Sequence, residues 1–314
     1  MLLASYDEGM LFNNVKIATE YLNYYEPEDL TLKTSEIELF TDGTVGLGKN
    51  LTYMTPAAWR QLLRLAGRDA KLADIDDSEL ATLIKDINEW FRNNNKELLF
   101  RMNSGVVTAA LTEVYCPVSN LDILKALAEV GVEKCRIHLR NGWLWASVIN
   151  EKVAFTPKVG DIIHGGWDLN HNDRGQGALH IAHFLFRLVC LNGAVVTEKG
   201  TSVFMHRASE KELLTSAIKD SVSTLTQYTQ LIASALEEMI KVELGVKRTL
   251  KLLNVAKRLL GKKIFDEFQE NVTSKTSCYA AYNYITQLAQ NYAMDNRREL
   301  EVLGGNLVAE FMRR

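Results

Sequence analysis

The chain has 314 residues, 47% of them apolar and 24% charged, with a formal net charge of -3. That length predicts one large or two modest domains of about 100–200 residues, with enough apolar content for a core that needs neither disulfide nor metal. The near-neutral balance excludes a wholly basic nucleic-acid coat and a disordered acidic tail, and no run of 18 apolar residues offers a membrane span.

The first residues, Met1 to Glu8, lack the basic and apolar regions of a signal peptide, which predicts a cytoplasmic protein. The four cysteines, Cys116, Cys135, Cys190 and Cys278, form no CxxC or C-x-x-H pair. They read as small core residues with free thiols. Only Cys190 has histidines at short range, His180 and His183.

Taken in order, Ile37 to Leu47 holds a hairpin signal at Asp42-Gly43. Thr55-Pro56 opens a helix carrying Trp59, Leu62, Leu63 and Leu65. Asp76, Asp77 and Ser78 cap a second, with Leu80, Leu83, Ile84, Ile87 and Phe91 at helical spacing. Two strands follow around a turn at Asn103-Ser104-Gly105, and Asn120 is placed to cap the helix through Leu127. Strands then resume at Cys135 and return through Trp143 after the Asn141-Gly142 turn. After Pro157 come an Asp161–Leu169 segment, a polar Gly-rich loop at 170–177, and an apolar stretch from Ala178 to Val196. Val203 to Arg207 closes the mixed region.

All four prolines lie in the first half, and of 19 glycines only Gly245, Gly261, Gly304 and Gly305 lie beyond residue 207. Residues that interrupt helices are therefore concentrated upstream. The expected fold class is α+β: a mixed, mainly antiparallel sheet region over 1–207, then a helical region over 208–314. The helical pattern covers 213–236 as one helix or two joined near Thr226, then 244–260, then a stretch after Ser277 through Tyr292. No internal repeat or low-complexity tract is present.

Charge is uneven. Residues beyond 207 carry 15 basic and 13 acidic groups, and the window Lys241–Lys263 holds eight basic residues against Glu243 alone. On a helix Lys247, Lys251, Arg258 and Lys262 share one face, with Arg248 beside them and Lys263 following. Val246, Leu250, Leu253 and Leu260 fill the opposite side, against core or partner. Such a stripe suits a phosphate backbone, where each contact releases counterions. A solvated face is the competing explanation, since lysine stems cover apolar surface. Tyr279, Tyr282, Tyr284 and Tyr292 have the spacing of core packing more than of a base-stacking platform.

Asp168, Asn170 and Asn172 alternate, so an extended strand points them one way, with Asp173 at the turn. Asp161, Asp168 and Asp173 are the candidate oxygen ligands for a divalent ion. The EF-hand pattern fails, because Asp173 stands where its glycine belongs and Leu179 where its glutamate belongs. A structural loop, its Asn and Asp capping their own turn, is the better reading. No dinucleotide fingerprint, P-loop, HExxH or GxSxG occurs, and no cofactor is implied. His138, His180, His183 and His206 stand singly in apolar strand contexts.

Several segments together resemble the phage- and plasmid-borne family containing the domain of unknown function 932. They are Met54–Leu62, Asn88-Glu89-Trp90, Leu99-Phe100-Arg101, Ala109–Tyr115 and Asn120–Leu124, followed by Val159-Gly160-Asp161, Asn170–Gly177, Phe186–Gly193 and His206-Arg207. The likeness spans about residues 50–240 and rests on the order and spacing of its blocks. It departs at His171, where the family has serine, and at Asp173-Arg174, inserted before the glycine. The resemblance implies a role in mobile-element DNA metabolism or in countering the host, in the host cytoplasm, and supplies no catalytic residue. Within Phe186–Gly193, Asn192-Gly193 reads as a turn and Cys190 as packed inward. Arg187 sits in an apolar run and must be paired if buried, with Asp161, Asp168 or a phosphate.

These readings converge on a non-enzymatic nucleic-acid-binding accessory protein, in recombination or single-strand annealing, that contacts single-stranded DNA through Lys247, Arg248, Lys251, Arg258, Lys262, Lys263 and Arg187. A homo-oligomeric assembly or host-countering module is the alternative, resting on the apolar faces of 213–236 and 279–303. A metal-dependent hydrolase is the third.

Overall fold

At Asn141-Gly142 both residues hold positive φ, 51° and 77°, and Ser104-Gly105 repeats the pattern at 50° and 76°. Mirror-image turns of this kind match the twist of an antiparallel pair, so each dipeptide folds its flanking strands onto one another. The computed structural model describes residues 9–68, 76–187, 192–196, 202–204, 214–292 and 294–313.

The chain begins with β1 (Met10–Asn14), α1 (Val15–Asn23), β2 (Glu28–Lys33), β3 (Ile37–Leu39), β4 (Thr44–Leu47) and β5 (Asn50–Met54). Then come α2 (Pro56–Leu65), α3 (Asp77–Asn93), β6 (Glu97–Asn103), β7 (Val106–Thr112) and α4 (Asn120–Glu129). Long strands follow: β8 (Lys134–Arg140), β9 (Trp143–Lys158), β10 (Asp161–Asn172) and β11 (Gly177–Arg187), with short β12 (Asn192–Val196) and β13 (Ser202–Phe204). The remainder is helical: α5 (Leu214–Lys241), α6 (Gly245–Leu259), α7 (Lys262–Asn271), α8 (Cys278–Ala289) and α9 (Met294–Met312).

The strands form a seven-stranded sheet in the order β1-β8-β9-β10-β11-β12, with β13 also pairing β11, and a six-stranded sheet in the order β2-β6-β7-β5-β4-β3. Every pairing is antiparallel except β5 with β7. The fold is therefore α+β, with mainly antiparallel sheets followed by helices.

Alternation along the strands decides what each face buries. In the larger sheet Ile137, Leu139, Leu144, Ala146, Trp167, Leu169, Leu179 and Ile181 meet α1, α4 and the start of α5 at Leu214 and Ile218. Further along, Phe155, Ile163, Leu185, Ala194 and Val196 share a core with Ile232 to Met239 of α5 and with α6, α7, α8 and α9. One unbroken helix of 28 residues thus spans both cores, where the sequence allows one helix or two. The smaller sheet has its own core under α2 and α3.

Arg101, Gln61 and the 173–176 turn join the two sheets. Arg101 on β6 is 1% exposed; it gives both donors of its fork to Asp29 (2.8 Å each), and its remaining nitrogen donates to the carbonyls of Val118 (3.1 Å) and Asp173 (2.6 Å). Gln61 of α2 donates to the Arg174 carbonyl (2.7 Å) and accepts from the Ala110 amide (3.1 Å). The 173–176 turn is itself capped by Asn172, whose Oδ1 accepts from the amides of Arg174 and Gln176. That is the structural-loop reading, with Asn172 as the capping residue.

Helix α9 follows the outer edge of β12. Val302 packs with Phe184 and Val195, while Leu300, Leu303 and Leu307 join the core holding Ala194 and Val196. Such an approach requires a helix with no side chain at the contact. A Cβ on Gly305 would stand 2.0 Å from the Val195 carbonyl oxygen.

Several local expectations are corrected. The cap of α4 is Ser119, which bonds the Asp122 amide in a capping box; Asn120 instead turns inward to the Gly142 carbonyl (2.9 Å) and His171 (2.7 Å). Asn192-Gly193 opens β12 rather than turning the chain, because both are held in the ladder with β11. The helix from Leu244 stops at Leu259, where Leu260 turns extended (φ -102°, ψ 140°), and Gly261 starts a new one. Cys190, His206 and Arg207 lie outside the described residues, while Cys116, Cys135 and Cys278 are buried cysteines outside any disulfide. Burial pushes the Cys135 thiol up to about 12.

Candidate nucleic-acid interface

Helix α6 is amphipathic on a three-then-four spacing: Thr249, Leu252 and Ala256 are buried. The opposite side carries Lys247, Lys251, Lys257 and Arg258, all exposed. Leu260 is buried and Leu253 packs against the core, as the apolar pattern requires. Val246 and Leu250, expected on that same buried side, are 68% and 55% exposed and stand among the lysines. Lys262 and Lys263 are exposed in the first turn of α7, so the predicted single stripe is broken between Arg258 and Lys262 by the extended backbone at Leu260 and Gly261.

Helices α6 and α9 flank a groove of about 460 Å³. Leu252, Val255, Val302, Leu303 and Leu307 supply its apolar lining, and Arg248, Lys251, Arg258, Arg298, Glu299, Asn306 and Glu310 its polar groups. Glu310 bridges two of the cations: Arg248 Nε donates to Oε2 at 3.0 Å and Lys251 Nζ to Oε1 at 2.9 Å. The Arg248 guanidinium also lies over the Phe311 ring, 5.3 Å from its centre. Burial works to raise the Glu310 pKa, but bonds and charge from Lys251 and Arg248 outweigh it and hold the carboxyl below the ordinary glutamate value. By contrast Lys247, Lys257, Arg258, Lys262 and Lys263 have no carboxylate partner among the described residues.

The candidate metal ligands are not brought together. Asp161 accepts from Arg187 Nε (2.5 Å) and from the Tyr279 hydroxyl. Asp168 accepts from both Arg298 nitrogens and from Ser147 (2.7 Å). Asp173 lies buried in the inter-sheet turn, its carbonyl on Arg101. Asp161 and Asp168 are spent on two different arginines, Asp173 lies in a separate turn, and no cluster of three or more ligating groups occurs among the described residues. Arg187 has Asp161 as its partner, one of the two carboxylates that its sequence context allows, and it does not line the groove.

Tyr279 and Tyr282 are buried and Tyr284 and Tyr292 pack against the same core, so none forms a stacking platform. Burial, and for Tyr279 the bond to Asp161, pushes both buried phenols well above the ordinary tyrosine range. His138 stacks on Trp145 at 5.0 Å, and His183 lies beside Tyr228 at 5.3 Å.

Sequence reasoning missed Glu310, Arg298 and Glu301, all on α9. Glu301, 1% exposed, accepts from Arg136 (3.0 and 3.1 Å) and Arg297 (3.1 Å). The Arg297-Arg298-x-x-Glu301 spacing was a signal, since residues three and four apart share a helix face. No helix among the described residues is long and apolar enough to cross a membrane. Compared with known proteins, the chain matches no family model, no curated protein and no solved structure.

Proposed function

We propose that this chain is a non-enzymatic nucleic-acid-binding accessory protein that holds strands by their phosphates along α6 and the start of α7. The observation that carries the reading is the set of five exposed cations, Lys247, Lys257, Arg258, Lys262 and Lys263, without carboxylate partners among the described residues. A cation already bonded to a carboxylate has little to gain from a phosphate, whereas a solvated one exchanges counterions for it. Lys262 and Lys263 also stand at the end of α7 where the helix dipole disfavours positive charge, so helix stability does not account for them.

The family resemblance supplies the setting: DNA metabolism of a phage or plasmid in the host cytoplasm, with single-stranded DNA as the favoured ligand in recombination or annealing. Gel-shift titration of the full chain at several salt concentrations tests this. Binding should weaken linearly on a log–log scale with salt, and absence of binding to either strand form at low salt refutes it.

A second reading, homo-oligomeric assembly, has its own support in the exposure of Val246 and Leu250 beside the lysines. Light scattering with and without single-stranded DNA tests it, and a monomer under both conditions removes it.

A further inference from the structure

We propose that the α6–α9 groove seats one unpaired nucleotide of a single strand, and that Glu310 is an internal anion which a strand phosphate displaces from Arg248 and Lys251. The inference rests on the nucleic-acid reading above and adds the strand type, the seat and a residue that sets affinity.

The groove combines two surfaces that a nucleotide needs together. Its lining of Leu252, Val255, Val302, Leu303 and Leu307 offers apolar area for a base, and its volume of about 460 Å³ lies within the roughly 300–1,000 Å³ typical of small-ligand pockets. Bases in a duplex are stacked and paired inward, so only an unpaired base presents a face to such a lining. Arg258, exposed and without a carboxylate partner among the described residues, supplies a planar cation that stacks on a base or forks onto a phosphate.

Glu310 explains why two of the groove's cations are occupied in the free protein. Its carboxylate sits between Arg248 and Lys251 as a phosphate would, with one oxygen on each. Arg298 is committed to Asp168, which leaves Arg248 and Lys251 as the pair a phosphate competes for. The lowered Glu310 pKa keeps this internal anion charged through the neutral range. Binding a strand thus exchanges one anion for another at Arg248 and Lys251, and makes a new contact at Arg258.

Fluorescence anisotropy with a labelled oligothymidylate, and with a duplex of equal length, tests the proposal on the full chain. Glu310→Gln should bind the single strand roughly three- to tenfold more tightly and steepen the salt dependence by about 0.7, the increment for one phosphate whose counterion release Glu310 no longer offsets. Val255→Trp, which fills the lining, should weaken the single strand more than the duplex. Val255→Met replaces it if the larger residue prevents folding, as judged by circular dichroism. Wild-type binding with no gain in Glu310→Gln overturns the displacement while leaving the nucleic-acid reading intact. Equal affinity for duplex and single strand, or insensitivity to filling at Val255, overturns the seat. Competition by polyglutamate as strong as by the oligonucleotide overturns it in favour of an acidic peptide partner. Failure of wild type to bind either strand form at low salt instead overturns the reading on which the proposal rests.

Discussion

Arg298 of α9 gives both of its terminal nitrogens to Asp168 of β10, a carboxylate with no solvent exposure, across 130 positions of sequence. Beside it Arg136 and Arg297 enclose Glu301. The last helix is therefore tied to the middle of the larger sheet by buried charge, and removing one partner should be far worse than removing both. Arg298→Met leaves Asp168 uncompensated and should cost about 3–5 kcal/mol in urea unfolding. Adding Asp168→Leu should restore much of the loss. A double variant no more stable than the single one would contradict the pairing.

At the other end of β10, Asp161 holds Arg187 and Tyr279. Arg187→Met should destabilise by a similar few kcal/mol, because Asp161 stays buried without its counter-charge. Its affinity for oligonucleotides, measured below the unfolding transition, should not change. A folded variant with weakened binding would return Arg187 to the interface.

Arg101 predicts a different failure. It bonds Asp29 within its own sheet and reaches the Asp173 carbonyl of the other. Arg101→Met leaves the buried Asp173 carbonyl unpaired and Asp29 without its counter-charge, so amide exchange should rise first in the 172–176 turn and in β6. Uniform protection across both sheets would argue against this role.

The Glu310 bridge sets a pH dependence. A carboxyl held below its ordinary value of 4.5 stabilises the fold above that value and loses the contribution as pH falls through its lowered native one. Glu310→Gln should thus be less stable than wild type by about 0.5–1 kcal/mol at neutral pH, the size expected of a partly exposed pair. The gap should close below about pH 4.5 in parallel melts. A gap that widens on acidification would reverse the sign.

For the cationic face, replacing Lys247, Arg258 and Lys262 together by glutamine should leave the melting curve unchanged. The salt slope for single strands should fall by about 2, three contacts at roughly 0.7 each. An unchanged slope would place the phosphate contacts elsewhere.

How much of this was legible depended on whether the determining partner was near in sequence. Thr55-Pro56 and Asp76 cap their helices as read, since a cap is a contact over two or three residues. Asn141-Gly142 turned the chain for the same local reason. The end of α6 escaped because Leu260 continues the apolar period and is buried, though its backbone is extended. The three aspartates looked like one ligand set because spacing along a strand says nothing of which arginine arrives from another element. Glu310 was invisible as the partner of Lys251, 59 positions away, although both residues were in view. Asn120 was misread as a cap because the competing acceptor, the Gly142 carbonyl, comes from a hairpin 22 residues on.

The placement of α9 along β12 carries a cost during synthesis. Until residues 294–312 have left the ribosome, the backbone of Val195 and its neighbours faces outward with no helix against it, beside a sheet that is otherwise ready to form. An open strand edge of that kind pairs with whatever extended segment is near, another nascent chain included. Gly305, which lets the helix sit down on the strand, is thus as much a guard against aggregation as a packing detail, and substitution there should be felt first as a loss of recoverable protein.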